Sequence, residues 1–139
     1  SNPSHACELC RDCKGCARWK QKQVERLRKQ LAEANTPKIQ LRGEIDALKI
    51  KKDIISLKVA ADERTLNNKR NQFETERNRR IKKKLRKIVR QISRNLNRTN
   101  TKKLAPIKIK IKEAERKFKE LEERCRKMLN EIKILETEE

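Results

Sequence analysis

Apolar residues recur along this chain at alternating three- and four-residue steps, the spacing that lines one face of a helix. Ala17, Val24, Leu27, Leu31 and Ala34 form the first such stripe. Asn35-Thr36-Pro37 follows. Proline lacks the amide that a helix interior needs, so the spacing predicts a short amphipathic helix over 17–36 that stops there. Thr36 is placed to cap the next helix. A second, longer helix is predicted over 37–98 on a heptad frame of Leu41, Ile45, Leu48, Ile55, Val59, Leu66 and Phe73. Lys52, Asp62 and Lys69 interrupt its seam, which lowers stability and sets register and partner number. From Thr75 to Arg80 the frame fails. It resumes in a new phase at Ile81, Leu85, Ile88 and Ile92, which unwinds a coiled coil locally or marks a change of partner.

The Asn- and Thr-rich run Asn97–Lys103 reads as the linker of the chain, set here at 99–105, and Pro106 suits the first turn of a last helix over 106–139. That helix has a nearly unbroken seam of Leu104, Ile107, Ile111, Ala114, Phe118, Leu121, Cys125, Met128, Ile132 and Leu135, the pattern of a coiled coil. The alternating Ile-Lys-Ile-Lys-Ile run at 107–111 has strand character, but the heptad explains more residues. The predicted fold is therefore all-α. Elongated coiled-coil helices, folded back as a hairpin at the linker or paired with another chain, follow an irregular N-terminal cysteine segment over 1–16.

Composition agrees with long helices and disagrees with a compact core. Charged residues make up 43% of the 139 positions and hydrophobic ones 34%, with two Phe, one Trp and no Tyr. Nothing in the chain forms a Gly-rich phosphate loop or a nucleophile–base pair, and there is a single His. These features point to a non-enzymatic interaction or scaffold subunit with no small-molecule substrate. No apolar run is long enough to span a bilayer and no signal-peptide core is present, so a cytoplasmic location is expected, at a membrane surface or otherwise, with the nucleus as the alternative. A chain that opens on Ser1 reads as a fragment or a trimmed piece.

The formal net charge of +20 implies an acidic partner. From Arg77 to Lys112 there is no acidic residue. Arg77, Arg79, Arg80, Lys82, Lys83, Lys84, Arg86, Lys87, Arg90 and Arg94 are the expected contacts to an acidic surface, and Arg98, Lys102 and Lys103 extend the run. A merely solvated helix face normally mixes signs. Two targets stay open. Ile81, Leu85, Ile88, Val89 and Ile92 against the cations make a basic amphipathic helix suited to an anionic membrane. A nucleic acid is the other, gripped through phosphates without sequence choice, because no aromatic residue interleaves the run to stack on bases. A basic-zipper arrangement fits poorly, since Pro106 and the polar linker interrupt the helix where such a fork must be continuous.

Cys7, Cys10, Cys13 and Cys16 stand at an unbroken three-residue step. Each Cys-x2-Cys unit is a zinc half-site, so zinc is the first reading. The two units are separated only by Arg11 and Asp12, which demands a non-helical wrap helped by Gly15. Iron–sulfur ligation, S-acylation and plain unliganded thiols are the other readings. Trp19 either covers such a knuckle or packs in the first helix, packing being the simpler account. Cys125 reads as a small buried hydrophobe of the last seam.

Paired cysteine units followed by a long coiled coil resemble the N-terminal region of the Barkor/UVRAG group. In this chain Cys7/Cys10 and Cys13/Cys16 would be the units and 17–138 the coiled coil. The resemblance implies a subunit of the class III phosphatidylinositol 3-kinase complex, acting in autophagy or vesicle sorting and pairing with a Beclin-like helix. The group usually has more residues between its two units.

Overall fold

A computed structural model describes residues 14–137, and all of its regular structure is helical. Helix α1 spans Lys14–Thr75, α2 spans Arg79–Thr99, a π-helical turn covers Asn100–Leu104, and α3 spans Ala105–Thr137. The chain divides into two units. One combines residues up to Gly43 with Glu115–Glu139, and the other is the continuous stretch Glu44–Ala114.

In the first unit, the early turns of α1 pack antiparallel on the later turns of α3. Val24 and Leu27 form a buried cluster with Ile132, and Met128 and Leu135 close it. Arg28 pairs with Glu136 on the flank. Lys38 and Arg42 lie over the Phe118 ring at 5.6 and 5.8 Å, which satisfies two cations against an aromatic face. In the second unit α1 turns at Glu76–Asn78 and α2 returns along it. Val59, Leu66 and Leu96 form its buried cluster, supported by Ile55, Val89 and Ile92. No helix among the described residues is long and apolar enough to cross a membrane.

Helix α1 does not stop at Pro37. The proline sits inside it, half-buried, and the helix continues without a break. A proline in a helix interior costs about 3 kcal/mol. The seam explains why the helix bears it. Val24, Leu27, Leu31, Ala34, Lys38, Leu41 and Ile45 step by threes and fours straight past Pro37, and every one is buried or half-buried. Ending the helix at Asn35 would throw this stripe off its partner. The same frame continues through Leu48, Ile55, Val59, Leu66 and Phe73, and takes in the half-buried Lys52, Asp62 and Lys69. At the start, α1 already includes Lys14, Gly15 and Cys16, so Gly15 is helical and no breaker. Ala17 is exposed and outside the seam, while Trp19 is half-buried.

The turn lies at Glu76–Asn78, and the Asn97–Lys103 run is helical. Asn78 is the N-cap of α2. Its Oδ1 accepts from the Arg80 and Ile81 amides at 2.9 and 3.4 Å. Glu76 Oε1 accepts from the Arg77 and Asn78 amides at 3.1 and 3.0 Å. Two side chains thus satisfy four backbone donors that a three-residue turn would leave unpaired. The ring of Phe73 then fixes the rotation of α2, with Lys82 Nζ 4.8 Å and the Arg86 guanidinium 5.5 Å from its centroid. Consequently the seam of α2 is Leu85, Val89, Ile92 and Leu96, and Ile81 and Ile88 face outward.

The run expected as a linker holds a one-residue surplus. Leu85 and Ile92 are seven residues apart, as are Leu104 and Ile111, but Leu96 and Leu104 are eight apart. At 100° per residue, seven residues fall about 20° short of two turns and eight overshoot by about 80°. The π-turn absorbs the extra residue, with the Ala105 amide donating to the Asn100 carbonyl five positions back. Leu96 and Leu104 therefore both stay buried. Beyond it, all ten expected seam positions from Leu104 to Leu135 are buried or half-buried, and Cys125 is 5% exposed.

Candidate polyanion-binding arm

The second unit carries 23 Lys and Arg against eight Asp and Glu, a net of +15 out of the chain's +20. This excess is not spread evenly. The outgoing arm, 44–76, has seven of each sign and is neutral. The return arm, 77–112, has sixteen cations and no anion. Folding back at Glu76–Asn78 sets a neutral helix beside a uniformly basic one.

The cations of the return arm are presented to solvent. All are exposed except the half-buried Lys82. Among the described residues none of the sixteen forms an ion pair with a carboxylate, whereas Arg28, Arg116 and Arg126 of the first unit each have an acidic partner. Their arrangement follows helix geometry. Arg86, Arg90, Arg94 and Arg98 succeed one another at four-residue steps, with Lys82 before and Lys102 after. Each step advances about 6 Å and turns about 40°, so the ridge spans about 30 Å while winding about 200° around the axis. Lys83, Lys84 and Lys87 widen it toward the turn, and Arg77, Arg79 and Arg80 crown the start of α2, whose N-terminus already favours anions.

Near the π-turn the ridge borders a groove lined by Lys58, Asp62, Asn95, Arg98, Thr99, Lys102 and Lys103. Asp62 is the lone anion among four cations there. The Thr99 hydroxyl donates to the Asn95 carbonyl at 2.9 Å, so cationic donors predominate at the mouth, beside the Asp62 carboxylate and the Asn95 amide. The fixed forks of arginine and the mobile ammonium of lysine both suit phosphate oxygens. Sequence reasoning found these cations but missed Lys58, which joins them only through pairing of the arms.

The apolar side of α2 is spent on the outgoing arm. Only Ile81 and Ile88 remain on its solvent side, at 46% and 38% exposure. A helix that lies in a membrane interface needs a continuous apolar face to insert, and α2 presents only these two residues, with Ile109 exposed further along the arm. The seam residues Leu104 to Leu135 likewise face inward within their units rather than forming an open face.

The cysteine segment lies mostly elsewhere. Cys7, Cys10 and Cys13 fall outside the described residues, and Cys16 is a half-buried residue of α1. Among the described residues no cluster of His, Cys, Asp and Glu has the makings of a metal site. Cys125 is buried in the last seam as a small apolar residue. No protein-family profile, curated protein or solved structure matches the chain.

Proposed function

We propose that this chain is a non-enzymatic helical assembly protein that holds nucleic acid by its phosphates through the return arm, without sequence choice. One observation carries the reading: sixteen cations and no anion on 77–112, with no ion pair to them among the described residues, opposite a neutral arm. Like charges at this density repel one another, and a polyanion removes that penalty by displacing its own counterions. The ridge Arg86–Arg98 repeats at about 6 Å, so successive guanidiniums can follow a phosphate backbone. The absence of aromatics from 77–112 argues against stacking on bases.

The test is binding to duplex DNA, duplex RNA and anionic liposomes across a salt series. Nucleic-acid affinity that falls steeply with salt, similar for unrelated sequences and stronger than liposome binding, supports the reading. Salt-insensitive binding, or liposome binding that survives high salt, overturns it.

A coiled-coil subunit of a class III phosphatidylinositol 3-kinase complex is the second reading. It is supported by the paired cysteine units, which stand closer together than in that group, and the long helices, and co-purification with a Beclin-like helix is its test. Zinc held by Cys7, Cys10, Cys13 and Cys16 is a separate proposal. Metal analysis of protein purified without chelator decides it, and four freely titratable thiols with less than about half an equivalent of metal would count against it.

A further inference from the structure

Helix α1 has a second apolar face. In the heptad whose seam positions are Ile45, Leu48, Lys52 and Ile55, the residues Ala47, Ile50, Ile54, Leu57 and Ala61 also step by fours and threes. They lie nearly opposite the seam, about 160° around the helix. The seam side is covered by the return arm. The opposite side is open, with Ile50 61%, Ile54 62% and Leu57 72% exposed. Isolated exposed aliphatics need no explanation, but three large ones at heptad spacing within one stripe do.

The charges beside the stripe say what covers it. On one edge stand Asp46 and Asp53, and on the other Lys51 and Lys58, all four exposed. Among the described residues none of the four makes an ion pair. Within one helix, residues five apart point away from each other and cannot meet. Across two parallel helices packed on this stripe, five residues is the separation of facing edge positions. Asp46 then meets Lys51 of a second copy and Asp53 meets Lys58, twice each by symmetry. Antiparallel packing would oppose Asp to Asp and Lys to Lys. Lys58 also shares its groove with Arg98, Lys102 and Lys103, so an acidic partner on the other side relieves it.

We propose that this face binds a second copy of the chain, parallel and two-fold related, through Ile50, Ile54 and Leu57. The net charge of +20 does not forbid it, because the outgoing arm is neutral and the pairing sends both basic arms outward. The stripe covers about 21 Å and three large side chains per copy, so the interface is smaller than the ~1,200 Å² of a stable complex and the dimer is weak and concentration-dependent. The pairing does not rest on what the basic arm binds, although Lys58 belongs to both surfaces.

Sedimentation equilibrium of the full chain, with reductant present and over a wide concentration range, tests it. The expected result is a monomer–dimer equilibrium. Ile54→Glu with Leu57→Glu raises the dissociation constant about tenfold or more while circular dichroism stays helical, since both side chains lie away from the seam. Asp46→Lys with Asp53→Lys weakens the dimer as well, and adding Lys51→Asp with Lys58→Asp restores it. A spin label carried by a non-natural residue at position 71 reads direction. Parallel copies bring the two labels to the order of a helix diameter, ~10–12 Å plus the label arms, and antiparallel copies centred on Ile54 hold them about 50 Å apart. A chain that is monomeric throughout, a dimer unaffected by the Glu pair, or the long label distance overturns the proposal. The first of these outcomes leaves the stripe to a helix of another protein.

Discussion

Leu96 and Leu104 are both buried although eight residues separate them, and the Asn100–Leu104 π-turn is what puts them on one face. Deleting Thr101 restores the seven-residue step and lets the segment become regular α-helix. Pro106 would then clash with the carbonyl four residues back, so the deletion is best made together with Pro106→Ala. This variant is expected to keep a cooperative thermal melt near that of the parent. Deleting Gln91 instead, between Val89 and Ile92, misplaces the seam and should lower the melting temperature sharply. Equal damage from both deletions would show that the π-turn does not absorb register.

The turn rests on Phe73 and Asn78. Asn78→Ala removes the acceptor of two amides and is expected to cost about 1 kcal/mol, while Asn78→Gly costs a few tenths. Phe73→Leu keeps apolar bulk but loses the ring under the half-buried Lys82 and the exposed Arg86, an expected loss of about 0.5–1 kcal/mol per cation. Urea unfolding of the full chain measures both.

Polyanion affinity should track charge along the arginine ridge. Arg90→Gln, Arg94→Gln and Arg98→Gln together should reduce the slope of log affinity against log salt on duplex DNA by about 2.7, at 0.9 per phosphate contact. Lys49→Gln with Lys51→Gln, on the neutral arm, should leave the slope unchanged. All five side chains are exposed, so helical content should not move in either variant.

The seam and the outward stripe of α1 should separate in stability. Leu66→Ala, in the buried cluster with Val59 and Leu96, is expected to cost 2–5 kcal/mol. Leu57→Ala should fall within about 0.5 kcal/mol at concentrations where the chain is monomeric. Lys69→Leu fills a half-buried polar seam position and should stabilise the hairpin. Asp62→Leu should not, because it strips the lone anion from beside Lys58, Arg98, Lys102 and Lys103.

Much of this fold is written in the heptads. The frame from Val24 to Phe73 never changes phase, and the seam from Leu104 to Leu135 reads directly. What misleads is local chemistry. Pro37 looks like a stop, but Ala34, Lys38 and Leu41 carry the stripe past it, and the packing of a whole helix outweighs one missing hydrogen bond. Asn97–Lys103 has the composition of a loop, yet its polar residues sit where the chain carries its one-residue surplus. The actual turn is short and looks unremarkable in sequence. Asn78 is followed by Arg79, Arg80 and Ile81, with no Glu or Gln three residues on to make a capping box, so only the failure of the frame after Thr75 marks it. The basic run was legible residue by residue. Its segregation from a neutral arm was not, because that depends on which segments pair.

The three-residue turn also sets an order of assembly. Phe73 and Lys82 are nine residues apart, whereas Arg28 and Glu136 are separated by 108. The entropy of closing a loop grows with its length, so contacts beside Glu76–Asn78 can form while residues 14–43 still lack their partner strip on α3. Contacts around Phe73 should therefore form before those of Leu27 with Ile132. The first turns of α1 would be the last to be held and the first to open, and pulsed hydrogen exchange should find amides around Val59 and Leu96 protected before those around Val24.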